Sequence, residues 1–351
     1  MHVLENKPLA PLTTFQIGGP ARWFVEAKSE DEIVEAVDWA RVRGLALFVL
    51  GGGSNLLVSD DGFDGLVLRI GLQGCAVEES AEPPGQRVYR VAAGEDWDRF
   101  VERTVQDGCA GIECLAGIPG TVGGTPVQNV GAYGQEAAST IDRVRAYDLR
   151  ERRFAELTGG ECGFSYRHSR FNSTDRGCYI VTRVDYRLTA GGTPTLRYAD
   201  LQRALEGQHC DGTEPSLVEV AAAVRRVRQG KGMLLVDGDR DCRSAGSFFK
   251  NPVVSEEHVR RIAAAVGKEP PHFDAGPGMA KVPAAWLIEQ AGFAKGYARG
   301  AAGVSTRHTL ALVNRGGASA ADVLALAGEI CARVEERFEV ALEMEPVLLG
   351  F

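Results

Sequence analysis

Two glycine-rich segments of the chain combine residue types that bind a phosphate or a flat aromatic ligand through the main chain. Gly51-Gly52-Gly53-Ser54-Asn55 follows a short apolar run, and a longer stretch extends from Gly117 to Gly134. Successive N–H groups without side-chain hindrance form a concave anion site. The first segment matches neither G-x-x-x-x-G-K-[ST] nor G-x-G-x-x-G, because position 56 is Leu. Two such segments favour binding of a dinucleotide with an extended aromatic system. The alternatives are a plain tight turn for the first segment and a structural crossover for the second.

Three polar positions are candidates for stabilising or protonating a reacting group. Arg167 stands among aromatic and small polar residues, and Ser247 lies in a small-residue turn before two phenylalanines. A guanidinium matches the geometry of a carboxylate, although a surface arginine and a turn hydroxyl are the simpler interpretations. Ser247 is not in a G-x-S-x-G elbow, which disfavours acyl transfer. Glu343 and Glu345 share one face of a predicted closing strand, where an inward carboxyl needs a partner or a raised pKa.

Composition excludes several classes of protein. The 351 residues carry a formal net charge of −8, with 44% hydrophobic and 25% charged residues, which is typical of globular proteins rather than disordered, fibrous or membrane-spanning ones. The acidic balance disfavours nucleic-acid and membrane partners. The amino terminus lacks a targeting pattern, so we expect a cytoplasmic protein. Eight cysteines without C-x-x-C and six scattered histidines predict no metal site.

Helices and strands alternate irregularly along the sequence, which predicts an α+β fold. Capping residues and apolar periodicity predict helices after Ser29, at Trp97–Val105, after Ser255, at Pro283–Ala291 and after Ser319. Strands are predicted at Leu45–Leu50, Ile180–Leu188 and Glu339–Leu349, and the first of them is expected to be buried. The composition from about 190 to 216 predicts a loop insertion around a short helix at Leu201–Leu205.

Taken in order, these segments resemble the UDP-N-acetylenolpyruvoylglucosamine reductases, also called UDP-N-acetylmuramate dehydrogenases. The resemblance covers nearly the whole chain and is carried by Thr14–Gly19, Gly51–Asn55, Gly117–Gly134, Tyr166-Arg167, Ala245–Pro252 and Leu342–Val347. It implies two N-terminal FAD-binding domains of the vanillyl-alcohol-oxidase (PCMH) type and an α+β substrate-binding domain. The expected boundaries are 1–71, 72–231 with the insertion, 232–338, and a closing strand at 339–351 that carries Glu345.

The resemblance also implies a reaction and a set of site residues. NADPH reduces FAD and leaves, and UDP-N-acetylglucosamine enolpyruvate then enters the same site and is reduced for peptidoglycan synthesis. Ser247 is expected to donate a proton, while Arg167 and Glu345 stabilise negative charge. The expected FAD-binding residues are Gly51, Gly52, Gly53, Ser54, Asn55, Gly117, Ile118, Gly120, Gly123, Gly124, Thr125, Asn129, Gly131 and Ala132. The expected substrate-binding residues are Tyr133, Tyr198, Lys231, Asn251 and His308.

Several alternatives accompany this interpretation. Lys231 is otherwise a solvated lysine and His308 a structural histidine. Tyr198 and the insertion are similar to a subclass in which a tyrosine-bearing loop folds over the diphosphate. Family members commonly end in Glu-x-Glu-Val-Arg, whereas this chain has Pro346-Val347, so Glu343 is the fallback for Glu345. A sugar or alcohol oxidase of the same fold and a non-catalytic nucleotide-sugar sensor are the rival functions. We expect a monomer.

Overall fold

Each of two units of the chain builds its own hydrophobic core. The computed structural model describes residues 1–80, 83–206 and 213–351. Unit 1 comprises Met1–Asn6, Arg22–Gly52 and Asp64–Gln229, and unit 2 comprises Lys7–Ala21, Gly53–Phe63 and Gly230–Phe351. One cluster of buried apolar side chains runs through unit 1 from Val25 to Val224, and a second one runs through unit 2 from Phe15 to Val340.

Two sheets form the scaffold of unit 1. A four-stranded sheet, most of which belongs to this unit, has the order Leu4–Pro8, Pro20–Ala27, Phe63–Ile70 and Ala46–Leu50. The larger sheet is antiparallel, in the order Arg153–Thr158, Ile141–Asp148, Tyr179–Ala190, Gln86–Ala92 and Cys75–Glu79, and Cys109–Ala110 also pairs with Tyr179–Ala190. A short hairpin pairs Gly131–Ala132 with Gln135–Glu136.

Four α-helices accompany these sheets in the described part of unit 1. They are α1 (Glu30–Val42), α2 (Trp97–Gln106), α3 (Ala199–Leu205) and α4 (Leu217–Gly230). The Ser29 hydroxyl accepts the Glu32 N–H at the start of α1, and the Asp96 carboxylate accepts the Arg99 N–H at the start of α2. The five apolar-face residues predicted for α2, from Trp97 to Val105, are all buried, which confirms that helix.

Unit 2 contains three further helices and short sheets. The helices are α5 (Glu256–Val266), α6 (Ala284–Gln290) and α7 (Ala320–Phe338), and they confirm the predictions made from Ser255, Pro283 and Ser319. One antiparallel sheet has the strand order Val253–Ser255, Met279–Lys281 and Phe273–Asp274. A second antiparallel sheet has the order Ala298–Arg299, Ala302–Val304 and Leu312–Asn314. Leu56–Val58 pairs in parallel with Val347–Leu349.

Two predicted strands differ from the structure. The strand at Ala46–Leu50 exists, but most of it is only half-buried, because it lies at the edge of its sheet. The predicted strand from Glu339 to Leu349 is wrong in extent: α7 continues to Phe338, Glu339 takes a left-handed conformation, and the regular strand is only Val347–Leu349. The predicted insertion contains α3, and its residues 207–212 lie outside the described ranges.

Candidate active site

The two glycine segments approach each other within unit 1 so closely that side chains would not fit. A methyl group at Gly52 would lie 2.5 Å from Gly120 Cα, and one at Gly51 would lie 3.0 Å from Thr121 Oγ1. Gly117 and Gly120 both have positive φ values, of 73° and 136°. Glycine is therefore required at position 52 for the two backbone segments to lie side by side, and the positive φ values favour glycine at 117 and 120.

Hydrogen bonds inside unit 1 use many of the amides in the second glycine segment. The N–H groups of Ile118, Val122, Gly123 and Gly124 donate to carbonyl oxygens of the same unit. These four N–H groups therefore stabilise the glycine cradle, by which we mean the paired segments Gly51–Gly52 and Gly117–Gly124, and are not free to donate to a ligand. The other predicted FAD-binding residues stay predictions.

Gly124 differs from the glycines that the fold itself requires. A methyl group there would meet no protein atom within 4 Å, and its φ is not in the left-handed region. Such a position leaves backbone accessible to a flat ligand, which fits the isoalloxazine ring of FAD. Together with the paired glycine segments, this open position makes the residues of unit 1 suitable for holding FAD.

Other predicted cofactor residues have structural partners. The Thr125 hydroxyl is buried and lies 2.5 Å from the Tyr186 hydroxyl. Asn129 is also buried; its Nδ2 donates to Glu136 Oε2 at 2.8 Å and to the Ser165 carbonyl at 3.0 Å. Gly53, Ser54 and Asn55 belong to unit 2, where Asn55 Nδ2 donates to the Glu345 carbonyl at 3.2 Å.

Arg167 occupies a tight turn held by the buried Asn129. The turn closes through reciprocal backbone hydrogen bonds between Ser165 and His168, and Arg167 has a φ of 54°. Its Nη2 donates to the Gly131 carbonyl at 2.8 Å. Asn129 and Tyr133 also have positive φ values, of 45° and 49°. Non-glycine residues in this conformation are strained, and such strain concentrates at functional sites.

The predicted substrate residues Tyr133 and Tyr198 meet in unit 1. Their rings form an edge-to-face pair with centroids 5.5 Å apart. Tyr198 directly precedes α3 and remains 45% exposed. The structure therefore brings these two predicted substrate residues together.

Sequence reasoning missed two buried charged residues beneath this part of unit 1. Arg228 Nε donates to the Gly117 carbonyl at 3.0 Å, and burial lowers the pKa of Arg228. The Glu113 side chain is fully buried beside Gln135. A signal for Arg228 existed, because it continues the apolar stripe of Leu217, Val220 and Val224 on α4. Glu113 has no comparable local signal.

In unit 2, Ser247 and Glu345 lie on neighbouring extended segments. The Phe248 carbonyl accepts the Glu345 N–H at 2.9 Å, and Lys250 N–H donates to the Glu343 carbonyl at 2.9 Å. Thr14 Oγ1 donates to the Ser244 carbonyl at 2.6 Å, which fixes the turn before Ser247. The fold therefore brings the proposed acid and carboxyl residues to adjacent backbone positions.

The structure distinguishes the two carboxyls of the closing segment. The Glu343 side chain is 71% exposed and forms an ion pair with Lys250 at 2.5 Å. Glu345 is half-buried. Glu345 is therefore the more buried of the two carboxyls, and the choice between it and its fallback Glu343 stays a prediction.

Three predicted substrate residues also belong to unit 2. Burial lowers the pKa of His308 to about 4, helped by the positive charges of Lys231 and Lys295 and opposed by Glu289. His308 is therefore neutral at pH 7 and lies within electrostatic reach of Lys231. Asn251 Oδ1 accepts the Ala284 N–H at the start of α6, which leaves its NH₂ group to meet a ligand.

Comparison with known proteins identifies both parts of the chain. Residues 21–151 match the FAD binding domain family, and residues 238–349 match the family described as UDP-N-acetylenolpyruvoylglucosamine reductase, C-terminal domain. The reductase of Streptomyces coelicolor is 47% identical over 99% of this chain and 90% of its own length. The reductase of Thermobifida fusca is 46% identical over 99% of this chain and 98% of its own length. The crystal structure of the Thermus caldophilus reductase matches with a TM-score of 0.65 and 27% identity over 99% and 98% of the two chains.

The α+β fold, the glycine cradle and the matched FAD domain define a flavin-dependent oxidoreductase. Within that class, the similarity to these reductases over nearly the full length of the chain identifies the family. The chain belongs to the UDP-N-acetylenolpyruvoylglucosamine reductase family. This confirms the resemblance, the fold class and FAD and NADPH as the predicted cofactors. The domain boundaries and the individual site residues stay predictions.

The described residues lack two further features. No described helix is long and apolar enough to cross a membrane. The described residues contain no group of three metal-ligating side chains. Seven described cysteines are free thiols, and Cys210 lies outside the described ranges.

Proposed function

We propose that this chain reduces UDP-N-acetylglucosamine enolpyruvate to UDP-N-acetylmuramate with NADPH, as an FAD-dependent enzyme of peptidoglycan synthesis. The observation that carries the proposal is the backbone pairing of Phe248–Lys250 with Glu343–Glu345. This pairing lies inside the stretch matched by the reductase C-terminal family. Bound FAD would supply the hydride chemistry, and the chain's own residues would manage charge and protons.

The charge-stabilising role falls to Arg167 and Glu345. Hydride addition to the methylene carbon of an enolpyruvyl ether leaves negative charge at the carbon bearing the ether oxygen and on the attached carboxylate. Fixed donors and cations at such a position lower the barrier. The hydrogen bond from Arg167 Nη2 to the Gly131 carbonyl restricts the guanidinium before substrate arrives. The Glu345 carboxyl, when protonated, would donate a hydrogen bond to the developing charge.

The proton-donating role falls to Ser247. A hydroxyl is a weak acid, but it suffices next to a carbanion-like carbon when it lies within hydrogen-bond reach. The turn before Ser247 is fixed by Thr14, and Gly246 supplies the required positive φ of 72°. Ser247 is thus carried by a constrained turn, which suits a residue that must donate at a defined atom.

The residues proposed for substrate recognition are taken unit by unit. In unit 2, Lys231 would supply positive charge to a substrate phosphate or to NADPH, His308 would supply a neutral imidazole and Asn251 its NH₂ group. In unit 1, Tyr198 would close over the diphosphate, as in the subclass with the tyrosine-bearing insertion that this part of the chain resembles. We further propose that the enzyme is a cytoplasmic monomer.

The test compares the two half-reactions in Ser247 variants. Ser247→Ala should leave reduction of FAD by NADPH nearly intact and slow the reaction with the enolpyruvyl sugar by about 10²–10⁴-fold, the usual contribution of a general acid. Ser247→Cys should retain more activity than Ser247→Ala, because a thiol can donate a proton.

A matched control is Ser255→Ala in the same unit. Ser255 caps α5 by accepting the His258 N–H at 3.1 Å, so its loss should cost about 1 kcal/mol of stability without slowing either half-reaction. An unchanged second half-reaction in Ser247→Ala would remove Ser247 from the mechanism. Absence of sugar-dependent NADPH consumption by the unaltered protein would reject the function itself.

A further inference from the structure

A buried side-chain network in unit 1 ties the start of the tyrosine-bearing insertion to the hairpin beneath Tyr133. The Glu113 network consists of Glu113, Gln135, Thr195 and Cys114. Glu113 is fully buried, and its carboxylate accepts three N–H groups, each at 2.8 Å: Gly111 N–H, Gln135 Nε2 and Thr195 N–H. Carboxylates bound in this way form some of the stronger hydrogen bonds in proteins.

Thr195 is bonded to this network through all of its polar groups. Its N–H donates to Glu113, its hydroxyl oxygen accepts Gln135 Nε2 at 3.2 Å, and its carbonyl accepts the Cys114 thiol at 3.2 Å. Gln135 is fixed in turn, because its Oε1 accepts the Cys114 N–H at 2.7 Å. These hydrogen bonds therefore fix the backbone of Thr195, near the start of the insertion, although the neighbouring residues form a surface loop.

The insertion is anchored again just after Tyr198. Leu201 and Leu205 of α3 are buried in the core of unit 1. Between Thr195 and Leu201, Tyr198 packs edge-to-face on Tyr133. Tyr133 directly precedes Gly134 and Gln135, so one hairpin carries both the ring partner of Tyr198 and a member of the network.

We propose that Glu113 is a positioning residue that acts through Thr195 to hold Tyr198 against Tyr133 and thereby sets the affinity for the UDP-sugar. The inference rests on the proposed function, because Tyr198 is assigned there as a substrate contact. Glu113 itself does not contact substrate in this account. Its loss should therefore raise the KM for the sugar and leave the reduction of FAD by saturating NADPH unchanged.

The sharpest perturbation is the exchange variant Glu113→Gln with Gln135→Glu. A glutamine at 113 would donate its NH₂ to the carboxylate at 135 and keep its oxygen toward Gly111 N–H. The carboxylate at 135 would still accept the Cys114 N–H. The exchange thus keeps the bonds to Gly111 and Cys114 and requires the Thr195 hydroxyl, which accepts from Gln135 Nε2 in the unaltered protein, to donate to the carboxylate at 135. It also turns an NH₂ group against the Thr195 N–H. Glu113→Gln alone is the matched comparison, because its oxygen can stay toward Gln135 and Thr195 while its NH₂ faces Gly111.

The exchange variant should raise the KM for the enolpyruvyl sugar by about tenfold, as expected for loss of a hydrogen bond to a charged group. Glu113→Gln alone should raise it less. In a Tyr198→Ala background the effect of the exchange should disappear, because the group being positioned is gone. An unchanged KM, or an equal increase with and without Tyr198, would overturn the proposal.

Hydrogen exchange gives a readout that does not depend on activity. The Thr195 amide hydrogen should exchange with solvent slowly in the unaltered holoenzyme and quickly in the variant that carries Glu113→Gln and Gln135→Glu. The amide hydrogens of Gly123 and Gly124 should stay protected in both proteins. Fast exchange at Thr195 in the unaltered holoenzyme would contradict the network even if the reductase activity is present. If the exchange variant fails to fold, Thr195→Val removes only the acceptor for Gln135 Nε2 and should raise the KM in the same direction; no increase would overturn the proposal.

Discussion

The neutral His308 of unit 2 provides a prediction whose size follows from the structure. Burial is the main cause that lowers the pKa of His308 from 6.5 to about 4, and the charges of Lys231 and Lys295 add to it. In the unfolded chain the imidazole takes up a proton as the pH falls below 6.5, while the folded protein resists protonation until about pH 4. The neutral imidazole therefore contributes stability above pH 6.5 that is lost as the pH falls toward 4.

The magnitude follows from linkage. A difference of roughly 2.5 pKa units corresponds to about 3 kcal/mol of unfolding free energy lost across this window. His308→Asn cannot be protonated, so the stability of this variant should depend less on pH between 6.5 and 4 than that of the unaltered protein. Lys231→Met removes one of the positive charges and should raise the pKa of His308.

NMR titration of the histidine rings measures this pKa directly. The His308 signal is the one missing from the spectrum of His308→Asn, and it should keep the chemical shift of a neutral ring until the pH approaches 4. A His308 signal that titrates near 6.5 would refute the burial argument. A His308 pKa that does not rise in Lys231→Met would refute the proximity of these two residues.

Two further predictions separate residues that look equivalent in the sequence. Glu345→Gln should slow the reaction with the enolpyruvyl sugar by about 10²–10³-fold, whereas Glu343→Gln, at an exposed ion pair, should have stopped-flow rates close to those of the unaltered protein; equal rates for both would contradict the assignment. Gly52→Ala should destabilise unit 1 by about 1–3 kcal/mol in thermal unfolding because its methyl group meets Gly120. Gly124→Ala should change stability by less than about 0.5 kcal/mol but lower FAD affinity in an equilibrium titration, and unchanged affinity would place the flavin elsewhere.

Local chemistry made the helices predictable from the sequence. Ser29, Ser255 and Ser319 each accept an N–H from the first turn of the helix that they were predicted to start. These signals involve residues only three positions apart, so sequence spacing contains them. The family resemblance likewise rested on short contiguous motifs.

Long-range placement was less predictable. The apolar run at Ala46–Leu50 does not reveal that its strand lies at the sheet edge, because apolar composition alone does not identify strand neighbours. The Glu113 network joins residues 82 positions apart, and the pairing beside Glu345 joins segments from different parts of the chain. Such contacts depend on the tertiary fold, and no periodicity in the sequence encodes them.

The most direct test of the account follows the visible absorbance of bound flavin during a single anaerobic turnover of the purified protein. The protein should be yellow, NADPH should bleach it, and UDP-N-acetylglucosamine enolpyruvate should restore the colour without oxygen. Recovery only when oxygen is admitted would indicate an oxidase, and a purified protein that neither contains nor binds flavin would indicate a nucleotide-sugar sensor. Either result would show that the protein is not a flavin-dependent reductase of the enolpyruvyl sugar.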